Sequence, residues 1–506
     1  HVLEHYRSIL DSKRATISSP IVYTTIDLQS QQMVQKILAR FVKKWEGVGV
    51  DNGAALVITR KGDVVASVGS TDYFDKKRAG AIDYTRVKRS PGSMLKPFVY
   101  ALALEKSVIK PASILDDLRR ARGGIRNADY KFLGPLLPRQ ALANSRNVPA
   151  ANLLDKLGVH SLFDLTATIK LHDGHTPSSQ FGTGLVIGTM PVTLTALVRA
   201  YRTLADEGLY SPLRWYKEQE LPDGATVLSS DSTRHITLFL SDPLARLPTF
   251  KRMGYLEYPF ATAIKTGTSS QCRDAWCLVW SRKYLAAVWL GRPDYRPMNA
   301  VSGYGAAGRL LKNIFLKLED GGDELEDRNF PPPHGHIPVQ VCAATGKKAH
   351  KDCPRSFVEW FDKNSPPLET CQAHSRMVID GKERTVLALA PKYASWASSQ
   401  GLATKTKTKK APQKGIINHD FVIVAPEDGI RLLRCPETPK AGSTIALEAV
   451  VSPQPEQLLW YVNGEPFELV EYPFTARWPL ELGRHYFQVG LPGSSQLSNP
   501  VTISVE

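Results

Sequence analysis

Three short segments constrain this chain most: Ser93-Met-Leu-Lys96, Ser145-Arg-Asn147 and Lys265-Thr-Gly267. Each is chemically incomplete alone. A fold that gathers them into one cleft holds a hydroxyl nucleophile, an amine to activate it, a second hydroxyl to move a proton and a cation for an anionic substrate group. Residues three apart on a helix share a face, so Lys96 lies one turn above Ser93. A serine hydroxyl is a weak nucleophile until a base takes its proton. Lysine is such a base only when neutral, and burial or a second cation favours that form. Lys265 is the expected second cation. A helix start offers backbone N–H groups without intrahelical partners. The N–H groups of Ser93 and Thr268 are therefore expected to form an oxyanion hole, each donor contributing about 3–4 kcal/mol. Ser145 is placed to relay a proton to a leaving amine, and Asn147 to hold Lys96 and a substrate amide. The Lys265-Thr266-Gly267-Thr268 segment is placed to grip a carboxylate.

Context separates these segments from chance matches. Ser-x-x-Lys is expected about two or three times in a chain of this length, and it recurs as Ser107-Val-Ile-Lys110. That copy precedes Pro111, where a helix stops. Ser93, by contrast, follows Pro91-Gly92 and opens the apolar run Phe98–Leu104, a turn leading into a buried helix. Lys96 precedes Pro97; proline is tolerated in a first helical turn but restricts the residue before it, so the helix must start close to Ser93. Lys265-Thr-Gly-Thr-Ser269 precedes Ala275-Trp-Cys-Leu-Val-Trp280, a core-strand pattern. Singly, each segment reads as an ordinary helix turn, cap or loop; in order and in these settings, the chemical reading prevails.

The trio resembles the signature of serine β-lactamases and penicillin-binding proteins. The resemblance extends over roughly residues 21–320. It includes Tyr23–Gln29 as an entry segment, Ala54–Thr59 and Asp63–Ser67 as a first hairpin, and Arg89–Phe98 as the nucleophile box. Asn144–Ala150, Gly182–Gly184, Met190–Thr195 and Arg273–Trp276 continue the match. A Cys-bearing connector followed by a small β domain resembles the bifunctional (class A) penicillin-binding proteins, 1C subtype. The resemblance implies a serine D-Ala-D-Ala transpeptidase of peptidoglycan synthesis that is acylated by β-lactams and needs no metal or cofactor. It also implies a periplasmic location, tethered to the bacterial inner membrane by an anchor upstream. Residues 1–20 are expected to be a lead-in from a glycosyltransferase domain outside this sequence. One segment departs from the family pattern: Leu118-Arg-Arg-Ala-Arg-Gly-Gly-Ile125 is shorter and more basic. It motivates an alternative, a weakly catalytic or non-catalytic scaffold whose C-terminal domain recruits a periplasmic partner. A carboxypeptidase or β-lactamase, with water as final acceptor, is the other alternative.

The chain has 506 residues, a net charge of +15 and six cysteines. The basic excess reads first as a solvated surface, and second as attraction to anionic membrane or wall polymer. Nucleic acid fits poorly, because Lys and Arg are spread out and no nucleic-acid-binding motif occurs. No apolar run approaches the length of a membrane span. An even cysteine count suits an oxidising compartment. Cys342, Cys353 and Cys371 cluster in the connector, Cys435 lies beyond, and no Cys-x-x-Cys spacing marks a zinc site. One structural disulfide is expected, most simply Cys342–Cys353, although spacing does not fix connectivity. His350, near Cys353, leaves a metal open.

The expected architecture is α+β: a transpeptidase-type antiparallel sheet with helices over 21–325, a connector and basic linker over 326–415, and an immunoglobulin-like β domain over 416–506. Helices are expected over Gln29–Lys44, facing inward through Met33, Ile37, Leu38, Phe41 and Val42, and over Leu185–Ala205. The catalytic domain is expected to end near Asp323, before an irregular connector. The Lys-rich stretch Thr404–Lys414 reads as a plain tether. Strands are expected near 420–424, 431–434, 444–450, 457–462, 473–478, 485–490 and 501–505, with Asn463-Gly464 as a hairpin turn. Trp460 is expected in that domain's core.

Overall fold

The computed structural model describes residues 21–119, 124–319, 329–379, 382–400, 402, 419–432, 444–452, 455, 457–472, 474–492 and 496–506. The lead-in, the expected domain end near Asp323, the Lys-rich tether and Cys435 lie outside these residues, as do residues 120–123 of the basic segment. The chain divides into two compact units, His1–Gln372 and Ala373–Glu506.

The first unit is built on a five-stranded antiparallel sheet in the order β2-β1-β9-β8-β7. Its strands are β1 (Asn52–Thr59), β2 (Val64–Val68), β7 (Ala263–Thr268), β8 (Asp274–Trp280) and β9 (Tyr284–Gly291). The short pairs β3 (Leu115–Asp117) with β4 (Gly134–Leu136) and β5 (Leu209–Tyr210) with β6 (Ala225–Thr226) lie between in sequence. The central strands are buried on both faces, which explains their continuous apolar runs. Strand alternation sends Ala55 and Val57 to one side and Ala54, Leu56 and Ile58 to the other.

Helix α1 (Leu28–Trp45) covers the first face, burying Val34, Leu38, Phe41 and Val42. The expected inward set is thus largely right, with Met33 and Ile37 only partly buried. Asp27 caps α1 by accepting the Ser30 N–H at 2.7 Å. The other face carries the helices that matter for chemistry: α2 (Lys96–Glu105), α3 (Pro138–Ala143), α4 (Asn147–Leu157), α5 (Val159–Thr168), α6 (Leu194–Ala205) and α7 (Ser230–Ser241). Helix α8 (Arg309–Glu319) joins α1 on the first face.

The expected long helix over Leu185–Ala205 is instead a 3-10 turn, Gly182–Ile187, and then α6. Gly188 at φ +92 ends the turn, and Pro191 cannot continue a helical ladder. The apolar content of the stretch concealed this break.

The connector was expected to be irregular, yet it contains two antiparallel hairpins. These are β10 (His336–Cys342) with β11 (Ser356–Asp362), and β12 (His374–Ile379) with β13 (Lys382–Leu387). The first hairpin belongs to the first compact unit, so that unit runs past the expected boundary at 325 to Gln372. Val341, Ala343, Phe357 and Phe361 pack with Leu137, Ala143 and Ala245.

The second unit also contains a short helix, α9 (Ala394–Ser399). Its β domain has a three-stranded sheet and a five-stranded sheet. The first is ordered β14-β16-β19 (Asp420–Ala425, Thr444–Ser452, Thr475–Pro479). The second is ordered β15-β21-β20-β17-β18 (Ile430–Leu432, Val501–Val505, Gly483–Gly490, Gln457–Val462, Glu465–Glu471). This is the immunoglobulin-type split, with a parallel pair, β15–β21, where the first strand changes sheet. One strand, β18, went unread: its residues Glu465–Leu469 are exposed and show no inward alternation. Trp460 is fully buried, its indole donating to Phe474 O at 3.3 Å. Among the described residues, no helix is long and apolar enough to cross a membrane.

Candidate active site

Ser93 sits in a 3-10 turn, Gly92–Leu95, that runs directly into α2, with Pro97 in the first helical turn. The Lys96 N–H donates to Ser93 O. Ser93 is half-buried while Met94, Leu95 and Lys96 are buried. Three anchors fix the turn. The Tyr201 hydroxyl on α6 donates to Met94 O at 2.7 Å, the Trp276 indole on β8 to Ser90 O at 2.8 Å, and the Ser90 hydroxyl to Gly188 O at 2.8 Å.

The turn is pressed against the edge strand β7. Gly92 lies at φ +55, where a Cβ would stand 2.4 Å from Thr268 O. A Cβ on Gly267 would stand 2.3 Å from Pro91 O. Both glycines are required by close backbone approach, and together they bring the Ser93 turn to the Lys265-Thr-Gly-Thr268 strand. Alternation puts Thr266 and Thr268 on the same face of β7. The Thr268 hydroxyl oxygen accepts the Gly303 N–H at 2.9 Å.

Ser145 occupies the loop between α3 and α4 and has φ +56. A left-handed conformation at a non-glycine residue costs about 1–3 kcal/mol and persists only where the surroundings impose it. Here the Ser145 N–H donates to Leu142 O and the Arg146 N–H to Ala141 O, at 2.9 and 3.0 Å. The Lys265 ammonium donates to Ser145 Oγ at 2.8 Å and to Thr266 O at 2.7 Å. Lys96 Nζ reaches Asn147 Oδ1 at 2.5 Å, Ser145 Oγ at 3.5 Å and Ser145 O. Lys96, Ser145, Asn147 and Lys265 are thus in one hydrogen-bonded group beside the Ser93 turn.

The electrostatics match the arrangement. Burial, then Lys265, then Arg146 hold the Lys96 amine well below the ordinary lysine range, with Asp117 opposing. Burial lowers Lys265 to about 7. Both amines lose part of their preference for the charged form, because neither meets enough water or counter-charge to offset desolvation.

Sequence reasoning passed over the scaffold behind Asn147. Arg146, the middle residue of the Ser-x-Asn segment, is buried and pairs with Asp117 at 2.8 Å and with Asp129 at 2.8 Å. Asn127 donates to Asp117 at 2.6 Å and accepts the N–H groups of Asn147 at 2.8 Å and Val148 at 3.3 Å. It thereby supplies the cap for α4 that Arg146 does not. The Asn147 amide donates to Arg126 O at 2.5 Å. The available signal was the charge itself, since an arginine between a buried loop and an apolar helix needs a carboxylate partner.

The Cys342–Cys353 disulfide expected from the sequence is not formed. The His350 imidazole is not grouped with the cysteine sulfurs: it lies 3.7 Å from Asp352.

Comparison with known proteins bears on the fold and the family. Residues 53–274 match the family described as penicillin binding protein transpeptidase domain, 332–376 the penicillin-binding protein 1A C-terminal domain, and 415–490 the Penicillin-Binding Protein C-terminus Family. The penicillin-binding protein 1C of Escherichia coli (strain K12) is 30% identical over 360 residues, 68% of this chain and 45% of that protein. The solved penicillin-binding protein 1A from Haemophilus influenzae superposes with TM-score 0.59 at 15% identity, covering 73% of this chain and 76% of that one. The PonA1 protein from Mycobacterium tuberculosis, solved in complex with penicillin V, superposes with TM-score 0.54 at 21% identity, covering 65% and 94%. The chain spans about half the length of the curated relatives it matches. Three penicillin-binding-protein regions, a transpeptidase domain and two C-terminal regions, thus follow one another along this chain, on a fold shared with solved penicillin-binding proteins.

Proposed function

We propose that this chain carries a peptidoglycan DD-transpeptidase working through an acyl-enzyme on Ser93. The carrying observation is the state of Lys96: its amine is buried, lies beside a second cation and is bound to Asn147 and Ser145. A neutral amine there takes the Ser93 proton as Oγ attacks the carbonyl before a terminal D-alanine. The oxyanion that forms lies between the N–H groups of Ser93 and Thr268. Ser145, bridging the two amines, passes a proton to the departing D-alanine nitrogen, and the C–N bond breaks. Lys265, Thr266 and Thr268 hold the terminal carboxylate. An amine of a neighbouring stem peptide then attacks the ester, releases Ser93 and completes the cross-link.

β-Lactams, whose strained amide carries a carboxylate at a comparable position, acylate the same hydroxyl. The expected setting is the outer face of the bacterial inner membrane. A fluorescent penicillin tests the reading on a denaturing gel: wild type takes up label and Ser93→Ala does not. An unlabelled wild type, or a labelled Ser93→Ala, overturns it. Release of the penicillin within seconds would instead mean that water is the natural acceptor.

A further inference from the structure

The connector holds a group of soft donors that the acyl-transfer chemistry does not use. Cys342 closes β10, Cys353 lies in the loop before β11, and Cys371 follows that hairpin. Their three sulfurs lie within 4.8 Å of one another, and Cys342 and Cys371 are buried. Backbone hydrogen bonds align the three segments: Cys342 N–H to Lys347 O at 2.8 Å, Lys348 N–H to Glu369 O at 2.9 Å, and Cys371 N–H to Lys348 O at 2.8 Å. The His350 N–H donates to Cys353 Sγ at 3.5 Å, a contact that stabilises a thiolate.

We propose that Cys342, Cys353 and Cys371 bind a structural zinc ion, with His374 as fourth ligand. Three sulfurs in one cluster cannot all be satisfied by disulfide bonding among themselves, whereas each can coordinate the same ion. At about 2.3 Å from zinc, tetrahedral sulfurs stand roughly 3.8 Å apart, a small contraction of the spacing observed. The fourth ligand follows from chain spacing: Cys371-Gln-Ala-His374 puts an imidazole three residues beyond a cysteine, at most about 11 Å of backbone away. Soft thiolates with one imidazole select zinc over the hard cations magnesium and calcium. Binding replaces three S–H protons, which pass to solvent, and leaves a complex of net charge −1. Four protein ligands leave no open position, so the ion holds structure and activates no water. What it holds is the loop closing the β10–β11 hairpin, the same hairpin that packs on α3 below Ser145.

Metal analysis of the full chain purified under reducing conditions and dialysed against zinc-free buffer tests this. The expected result is about one zinc per chain. Exchange with cobalt should give the thiolate-to-metal charge-transfer band and the visible bands of a tetrahedral site. Cys353→Ser should lose the bound ion and lower the thermal midpoint of the first unit. Should that variant fail to fold, His374→Cys keeps the test open: it should retain zinc while shifting the cobalt spectrum toward four sulfurs. A wild-type chain that retains no zinc and gives no charge-transfer band overturns the proposal. So does peptide mapping that finds two of the three cysteines in a disulfide in protein isolated without reductant, or a cobalt spectrum unchanged in His374→Cys.

Discussion

Arg139 on α3 and Glu359 on β11 form a buried bidentate pair, Nε–Oε1 at 2.7 Å and Nη2–Oε2 at 2.8 Å. Arg139 also donates to Leu238 O at 3.0 Å and Val358 O at 3.1 Å. Helix α3 leads straight into Ser145, so the connector hairpin reaches the Ser-x-Asn loop through one helix. Glu359→Ala leaves a guanidinium buried without its main counter-charge, which costs about 3–5 kcal/mol. The expected result is a lower midpoint in chemical denaturation and acylation by penicillin slowed about tenfold, ~1.4 kcal/mol in the barrier. Arg139→Met with Glu359→Leu should recover most of the stability, because apolar replacement of a whole buried pair is often neutral.

The two active-site amines predict a bell-shaped pH profile. In the proposed mechanism acylation needs Lys96 neutral and substrate binding needs Lys265 charged. The rate should therefore rise as Lys96 loses its proton and fall as Lys265 titrates near 7. Lys265→Arg, which stays charged, should move the descending limb upward while leaving the ascending limb in place. Stability has its own sign. Lys265 is lowered from 10.5 to about 7 on folding, so between those values the unfolded chain binds more protons. Stability contributed through this group then rises with pH across that window, and Lys265→Met should remove the rise. Denaturation curves at several pH values check it.

Asn127→Ala removes the acceptor for the Asn147 and Val148 N–H groups and the donor to Asp117. Loss of this buried network should cost about 1–3 kcal/mol. Acylation should slow more than the stability loss alone explains, because Asn147 is freed to turn away from Lys96. Asn127→Asp keeps an acceptor but adds a charge beside Asp117, and should be at least as damaging. Acylation rates measured well below each variant's melting point separate the two effects.

Gly92→Ala tests the close approach of the Ser93 turn to β7. The added carbon would meet the Thr268 carbonyl at 2.4 Å in a left-handed backbone, so the turn must shift. Penicillin labelling should be abolished or nearly so, with the circular dichroism spectrum retained. Normal labelling in this variant would show that the oxyanion hole does not need that contact.

Much of this was legible in the chain. Pro91-Gly92 before an apolar run located the Ser93 turn, and the run Ala275–Trp280 located a core strand, because local patterns of this kind are short-range. Lys265 as the cation that lowers Lys96 was legible only through chemistry. The break at Gly188 was hidden by apolar residues on both sides, and β18 by its exposed side chains. The Arg146–Asp117–Asn127 scaffold depends on contacts between segments far apart in sequence, which no local pattern records. The connector hairpins went unread for the same reason: β10 carries Pro338, and its residues are mostly exposed until Val341 and Cys342.

Ser145 Oγ, 2.8 Å from Lys265 and 3.5 Å from Lys96, is a stitch across the seam between the helical layer and the sheet edge. Were that seam to part by an ångström or so, water would enter, the burial that lowers the Lys96 amine would be relieved, and acylation of Ser93 should slow with every strand still in place. Gentle warming or dilute denaturant should therefore extinguish chemistry first and melt the protein later.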